Sequence, residues 1–123
     1  MPNKKQQFGE KGESLAARHL KRQGYRIIEQ NYRTNLGEID IIAREKDSIV
    51  FVEVKSRKTG RFGNPKWAVT PKKQRKISMV ALQYLKATRQ HDAKARFDVV
   101  SISRVQGAPR IELVKNAFEI AYT

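Results

Sequence analysis

Two segments of the chain repeat apolar residues at helical spacing. The first covers about 9–23, and Gly24 is expected to end it because glycine tolerates the left-handed conformation of a helix cap. The second covers about 71–87, with Thr70 as its N-cap and Pro71 at its first position. The pattern therefore predicts two helices, the second with a well-defined start.

Five other segments have the apolar, β-branched character of strands. They cover about 25–32, 38–44, 49–55, 96–103 and 110–115. The stretch 56–69 lacks periodicity and contains glycine and proline, which predicts a long loop. The order α-β-β-β-α-β-β, with a crossover helix before the fourth strand, predicts an α/β fold with a mixed central sheet flanked by helices. A length of 123 residues fits a single domain over 1–123.

Residues 36–57 read LGEIDIIAREKDSIVFVEVKSR and predict a hairpin that turns at EKDS. Because side chains alternate along a strand, one face of this hairpin is wholly apolar and is the expected core side. That face comprises Ile39, Ile41, Ala43, Val50, Val52 and Val54. On the other face, a turn of two or four residues places Asp40 directly opposite Glu53 and Glu38 opposite Lys55.

Carboxylates that face each other across two strands destabilise a sheet unless a cation compensates them. A divalent metal between Asp40 and Glu53 would supply that cation, and Lys55 lies on the same face. The alternative is an ordinary solvated face of an antiparallel sheet, and a one-residue bulge would change the register. The hairpin is thus a candidate site rather than an established one.

Two polar residues interrupt the apolar stripes of the helices. Glu13 lies in line with Ala16 and Leu20, and Gln74 lies in line with Ile77. A simpler explanation exists for each: an acid near the start of a helix is favoured by the helix dipole, and a glutamine there is often a surface residue. Both stay open as site residues.

The charge of the chain indicates a polyanionic partner. There are 26 Lys and Arg against 12 Asp and Glu, a formal net charge of +14, so nucleic acid is the first expectation and an anionic membrane surface the second. No apolar stretch is long enough to span a bilayer, which favours a cytoplasmic protein without a membrane partner. Without cysteine, and with its two histidines far apart, the chain would bind a metal through carboxylates, which suit Mg²⁺ or Mn²⁺.

The motifs GEKGESLAARHLKRQGY, GEIDIIA, FVEVKSR and RFDVV resemble the YraN-type family of uncharacterised bacterial proteins over nearly the whole chain. That family is similar to the PD-(D/E)xK restriction-endonuclease-like superfamily, near the archaeal Holliday-junction resolvases. The resemblance implies a restriction-endonuclease-like fold, with Ile39 standing where the motif's name has proline. It implies catalytic roles for Glu13, Asp40, Glu53, Lys55 and Gln74, and a Mg²⁺ or Mn²⁺ site formed by Glu13, Asp40, Glu53 and the main-chain carbonyl of Val54.

The basic residues next to this motif are candidate phosphate contacts. They are Arg57, Lys58, Arg61 and Lys66 in the predicted loop, and Lys72 and Lys73 at the start of the second helix. Phe62 and Trp67 lie between the loop cations, and aromatic rings among cations suit branched or single-stranded DNA. Solvated charges and core aromatics are the alternative for each of these residues.

Two functions remain open on the sequence alone. The first is a metal-dependent endonuclease acting on structured or branched DNA, for which a symmetric junction would suit a homodimer. The second is a non-catalytic nucleic-acid-binding module with the same fold, associated with RNA or the ribosome. The carboxylates favour the first, because a phosphate-binding surface has no need of acids beside its anionic ligand.

Overall fold

The structure, a computed structural model, describes residues 4–56 and 69–120, with the side chains of residues 4–11 outside the description. Its elements are α1 (Lys4–Arg22), β1 (Arg26–Thr34), β2 (Gly37–Glu45), β3 (Ser48–Ser56), α2 (Pro71–Ala87), β4 (Lys94–Val105) and β5 (Ala108–Phe118). This order confirms the predicted α-β-β-β-α-β-β arrangement. The predicted loop over 56–69 lies almost wholly outside the described residues.

The five strands form one mixed sheet in the order β1-β2-β3-β4-β5. β3 and β4 pair in parallel, as the crossover through α2 predicts, and the other neighbouring strands pair antiparallel. In the β2–β3 hairpin, Ile41 lies opposite Val52 and Glu45 opposite Ser48, which confirms the predicted register over this part of the ladder. Lys46 turns the chain with a φ of 53°.

Both faces of the sheet are buried, whereas the sequence pattern predicted one core face. α1 covers a cluster that includes Ala16, Leu20, Ile41, Ala43, Val50 and Val52, with Val54 packed against it. α2 covers a second cluster that includes Ile42, Ile49, Phe51, Val80 and Tyr84. Ile39 belongs to this second cluster and not to the first, so the predicted face breaks at residue 40. A sheet covered on both sides reads as continuous apolar runs, which explains why alternation alone was insufficient.

The ends of the helices follow the predicted capping chemistry. Gly24 has a φ of +94° after α1, and Thr70 caps α2 by accepting a 3.2 Å hydrogen bond from the backbone N–H of Lys73 through its hydroxyl. α1 begins at Lys4, earlier than the sequence predicted. In the part of the chain that the structure describes, no helix has the length and apolar character needed to cross a membrane.

Candidate active site

Asp40 and Glu53 come together where the β2–β3 ladder ends. The paired residues stop at Ile41 and Val52, so the two acids are not a ladder pair as predicted. Instead, a carboxylate oxygen of Asp40 accepts a 2.8 Å hydrogen bond from the backbone N–H of Val54, and the Asp40 and Glu53 carboxyl groups lie close enough to shift each other's pKa. The acids meet through their side chains at the point where the strands separate.

Both carboxyl groups are buried, with residue exposures of 9% for Asp40 and 7% for Glu53. Burial raises the pKa of Asp40, and burial together with the neighbouring Asp40 charge raises the pKa of Glu53 to about 8. Two close carboxylates in a low-dielectric site resist losing both protons. At neutral pH the pair therefore favours one shared proton unless a cation compensates the second charge.

Two lysines supply positive charge to this pair. Lys73, in the first turn of α2, places Nζ 3.7 Å from Oε1 of Glu53. Its charge, and to a smaller extent that of Lys55 on the same strand, lowers the pKa of Glu53. Lys73 was predicted as a phosphate contact on the helix surface, so its contact with a site acid is a feature that the sequence did not indicate. Lys72, its neighbour, is exposed.

Glu13 extends the acidic environment from the side of α1. Burial, followed by the charges of Asp40 and Glu38, raises its pKa, and a hydrogen bond from the side chain of Asn31 opposes that shift. Asn31 has a φ of 54° within β1, a left-handed conformation that asparagine adopts more readily than most residues. Sequence reasoning missed Asn31, although asparagine is uncommon in strands and could have been a signal.

Asp40 and Glu53 are the two acids that lie close together at this site. Among the described side chains, those of residues 12–56 and 69–120, no three histidine or acidic side chains converge as a metal-binding group. Glu13 influences Asp40 electrostatically without completing such a group. Its role as a metal ligand remains a prediction.

Glu38 does not lie opposite its predicted partner, and the role of Gln74 in catalysis remains a prediction. Glu38 was predicted opposite Lys55, but the β2–β3 ladder does not reach residue 38. Glu38 instead forms a 2.9 Å ion pair with Arg33, its neighbour on the adjacent strand β1. The side chain of Gln74 donates a 2.9 Å hydrogen bond to the carbonyl of Val69, so its amide holds the turn before α2. The predicted loop contacts, Arg57, Lys58, Arg61 and Lys66, lie outside the described residues.

A glycine on α1 allows the helix to approach the end of β3. A Cβ added at Gly12 would clash with the side-chain oxygen of Ser56 unless that side chain shifted. Ser56 follows Lys55 directly, so this contact places α1 beside the lysine end of β3. The close approach helps to bring Glu13 into the electrostatic range of Asp40.

Fold and site together define an α/β protein with a mixed sheet and a buried carboxyl pair at a strand end. The sequence profile of the uncharacterised protein family UPF0102 matches residues 12–102, and the chain belongs to that family. This membership confirms the family resemblance that the motifs indicated.

Relatives in this family are similar along most of the chain. A UPF0102 protein of Syntrophus aciditrophicus is 55% identical over 93% of this chain and 90% of its own length. A UPF0102 protein of Geobacter metallireducens is 55% identical over 94% of each chain. Among solved structures, SfsA of Pyrococcus furiosus in complex with Ca²⁺ is similar with a TM-score of 0.40 and 15% identity, over 90% of this chain and 63% of that one. A likeness this distant carries no argument about function.

Proposed function

We propose that this protein is a metal-dependent endonuclease that hydrolyses phosphodiester bonds in structured or branched DNA. The observation that carries the proposal is the buried Asp40–Glu53 pair, whose carboxyl groups lie close together and have raised pKa values. A fold gains nothing from placing two unneutralised acids together, so such a pair is more typical of a functional site than of a core. Lys55 and Lys73 lie on the same side as the acids and suit an anionic substrate.

The donor set fits a hard divalent cation in charge and in chemistry. Asp40 and Glu53 would hold Mg²⁺ or Mn²⁺ with the main-chain carbonyl of Val54, and Glu13 would add negative charge from α1. When bound, such an ion supplies a Lewis acid that polarises a phosphate oxygen and promotes the ionisation of water. Lys55 would orient the attacking water or offset charge on the scissile phosphate, because it lies on the same strand as Glu53 and near its carboxyl group.

The excess of positive charge supports binding to a polyanion. The net charge is +14, and the exposed Lys72 lies in the first turn of α2 next to Lys73, which contacts Glu53. Phosphate contacts release counterions, so affinity for DNA should fall steeply with salt, and Lys72→Ala should flatten the log-log slope by roughly one unit if it makes one contact. Titrations of labelled DNA at several salt concentrations measure this slope, and an affinity that ignores salt would contradict a basic binding surface.

The activity itself is tested on a panel of labelled duplex, single-stranded, flap and four-way-junction DNA and of RNA, with Mg²⁺ or Mn²⁺. The proposal expects cleavage of branched or single-stranded DNA with either metal and none with chelator. A protein that binds these substrates but cleaves none of them would be the non-catalytic binding module instead.

A matched pair of variants separates the site from the scaffold. Glu53→Gln removes one of two close negative charges, so cleavage should fall by orders of magnitude while metal-free stability holds or rises by about 0.5 kcal/mol. Val52→Ala, one residue away under α1, should cost roughly 1 to 3 kcal/mol through lost burial without removing activity from the molecules that remain folded. Urea denaturation without metal and cleavage assays check both. If Glu53→Gln unfolds the protein as badly as Val52→Ala does, Glu53 is a structural residue.

A further inference from the structure

Lys73 makes a contact that no other cation of the described chain makes. Among the ion pairs found between the described side chains of residues 12–56 and 69–120, its contact with Glu53 is the one that includes an acid of the carboxyl pair. Its charge also lowers the pKa of Asp40. Lys73 therefore acts on both acids from a helix on the opposite side of the sheet from α1.

The backbone beneath Lys73 is fixed. Its N–H donates to the hydroxyl of Thr70, and the next N–H along, that of Gln74, donates to the carbonyl of Thr70 at 2.8 Å. The Gln74 side chain holds the carbonyl of Val69 in the same turn. A fixed Cα keeps the ammonium group within reach of Glu53.

The two ends of the ion pair differ in their access to water. The Lys73 side chain is 42% exposed, whereas the Glu53 side chain is 8% exposed. The ammonium group of Lys73 can move into solvent at little cost, because it is already partly hydrated. When the ammonium group leaves, the buried carboxylate of Glu53 needs another cation. The separation of 3.7 Å, longer than a close hydrogen-bonded pair, also indicates a counter-ion that is readily exchanged.

We propose that Lys73 is an internal counter-ion that competes with the divalent cation for Glu53 and so sets the metal concentration at which the site fills. This inference rests on the proposed function only in assuming that Asp40 and Glu53 bind a metal. It assigns Lys73 to the regulation of that site, where the sequence had suggested only a phosphate contact. Metal entry displaces the ammonium group into solvent.

The test measures Mn²⁺ binding to the full chain without nucleic acid, by the loss of the electron paramagnetic resonance signal of free Mn²⁺. Lys73→Met removes the competitor, so Mn²⁺ should bind roughly two- to fivefold more tightly, the range expected for a partly exposed ion pair. Lys73→Arg keeps a cation there and should stay near the wild-type affinity. Lys76→Met is the matched control, because Lys76 is exposed on the same helix and its substitution removes the same charge.

Each result decides the inference. Equal Mn²⁺ affinities for Lys73→Met and Lys76→Met would overturn the competition while leaving the metal site intact. Absence of Mn²⁺ binding in the wild type and every variant would overturn the metal site itself and the competition with it. Mn²⁺ binding by Lys73→Met alone would support a counter-ion strong enough to exclude the metal. Lys73→Gln, with circular dichroism of each variant, provides a second substitution where Lys73→Met fails to fold.

Discussion

Two glutamates on adjacent strands have similarly low solvent exposure, and their pKa values shift in opposite directions. Glu53 has a residue exposure of 7% and Glu45 one of 8%. Glu45 bonds to Lys115 at 2.8 Å and to Arg96 at 2.6 Å, and these hydrogen bonds lower its pKa despite burial. Glu53 faces Asp40 and a more distant lysine, and its pKa rises to about 8. Burial alone therefore does not mark a functional acid.

The cluster around Glu45 shows what a structural arrangement of buried acids looks like. Asp98 is 0% exposed and accepts hydrogen bonds from the hydroxyl of Tyr25 at 2.7 Å, from the guanidinium of Arg96 at 3.0 Å and from the backbone N–H of Asn116 at 2.9 Å. Each carboxylate in this cluster has a cation in direct contact. The Asp40–Glu53 pair lacks such close neutralisation, and that difference separates a candidate site from a scaffold.

The prediction with the largest expected effect concerns the structural cluster, which comprises Glu45, Arg96, Asp98 and Lys115. It removes the positive charge of Arg96. Arg96→Met leaves Asp98 fully buried without its ion pair and should lower the free energy of unfolding by about 3 kcal/mol or more. Urea denaturation measures the change. Removal of the positive charge beside the carboxyl pair, in Lys73→Met, should cost much less, because the Lys73 side chain is 42% exposed and lies 3.7 Å from Glu53 rather than in close contact. If Arg96→Met and Lys73→Met lose a similar unfolding free energy, the structural cluster and the Asp40–Glu53 pair depend on their cations to the same extent.

The pH dependence of stability is the second test. The pKa of Glu53 is raised from 4.5 to about 8 in the folded state, so the folded state binds more protons than the unfolded state between these values. The contribution of Glu53 to stability is therefore complete below about pH 4.5 and is lost as the pH rises through about 8. Glu45, whose pKa is lowered, contributes stability above pH 4.5 that is lost as the pH falls through its folded pKa.

Substitution of each glutamate isolates its part of the profile. Glu53→Gln should flatten the decline in unfolding free energy between about pH 5 and about pH 8, whereas Glu45→Gln should flatten the loss on the acid side. Mn²⁺ should also reduce the decline, because a bound cation favours the ionised form of Glu53. Denaturation curves across this pH range check the three expectations, and a profile unchanged by Glu53→Gln would show that the raised pKa does not exist in solution.

The sequence predicted the elements of this fold because their signals are local. Thr70 and Pro71 specify the start of α2 within two residues, and the hairpin turn sets the register between Ile41 and Val52. Asp40 and Glu53 were predicted as neighbours through that register. Their actual contact needs the strands to separate at residue 40, which alternation does not encode.

What the sequence did not predict depends on contacts between distant segments. Lys73 reaches Glu53 only because α2 packs over the end of β3, and nothing in the spacing of helix residues specifies that position. The cluster of Arg96 with Glu45 joins residues 51 apart along the chain. Burial of the second sheet face likewise requires knowing where α2 lies.

The prediction with the smallest expected effect concerns Asn31, the uncharged residue that interacts with Glu13. Asn31 has a φ of 54°, so Asn31→Val should cost about 1 to 2 kcal/mol through backbone strain, whereas Asn31→Gly avoids that strain. Both variants lose the amide that hydrogen-bonds to Glu13 and lowers its pKa. Denaturation curves measure the backbone effect, and NMR titration of the Glu13 carboxyl carbon should show a higher pKa in both variants.

Asn116 is a matched control for this test, because it has a φ of 52° in β5 and hydrogen-bonds through its backbone N–H to the structural cluster. Asn116→Val should cost more than Asn116→Gly by a similar margin, since the left-handed backbone is the same. Neither Asn116 variant should change the pKa of Glu13. A Glu13 pKa that stays constant in the Asn31 variants would mean that the amide does not act on the acid, and Asn31 would then matter only for the path of the strand.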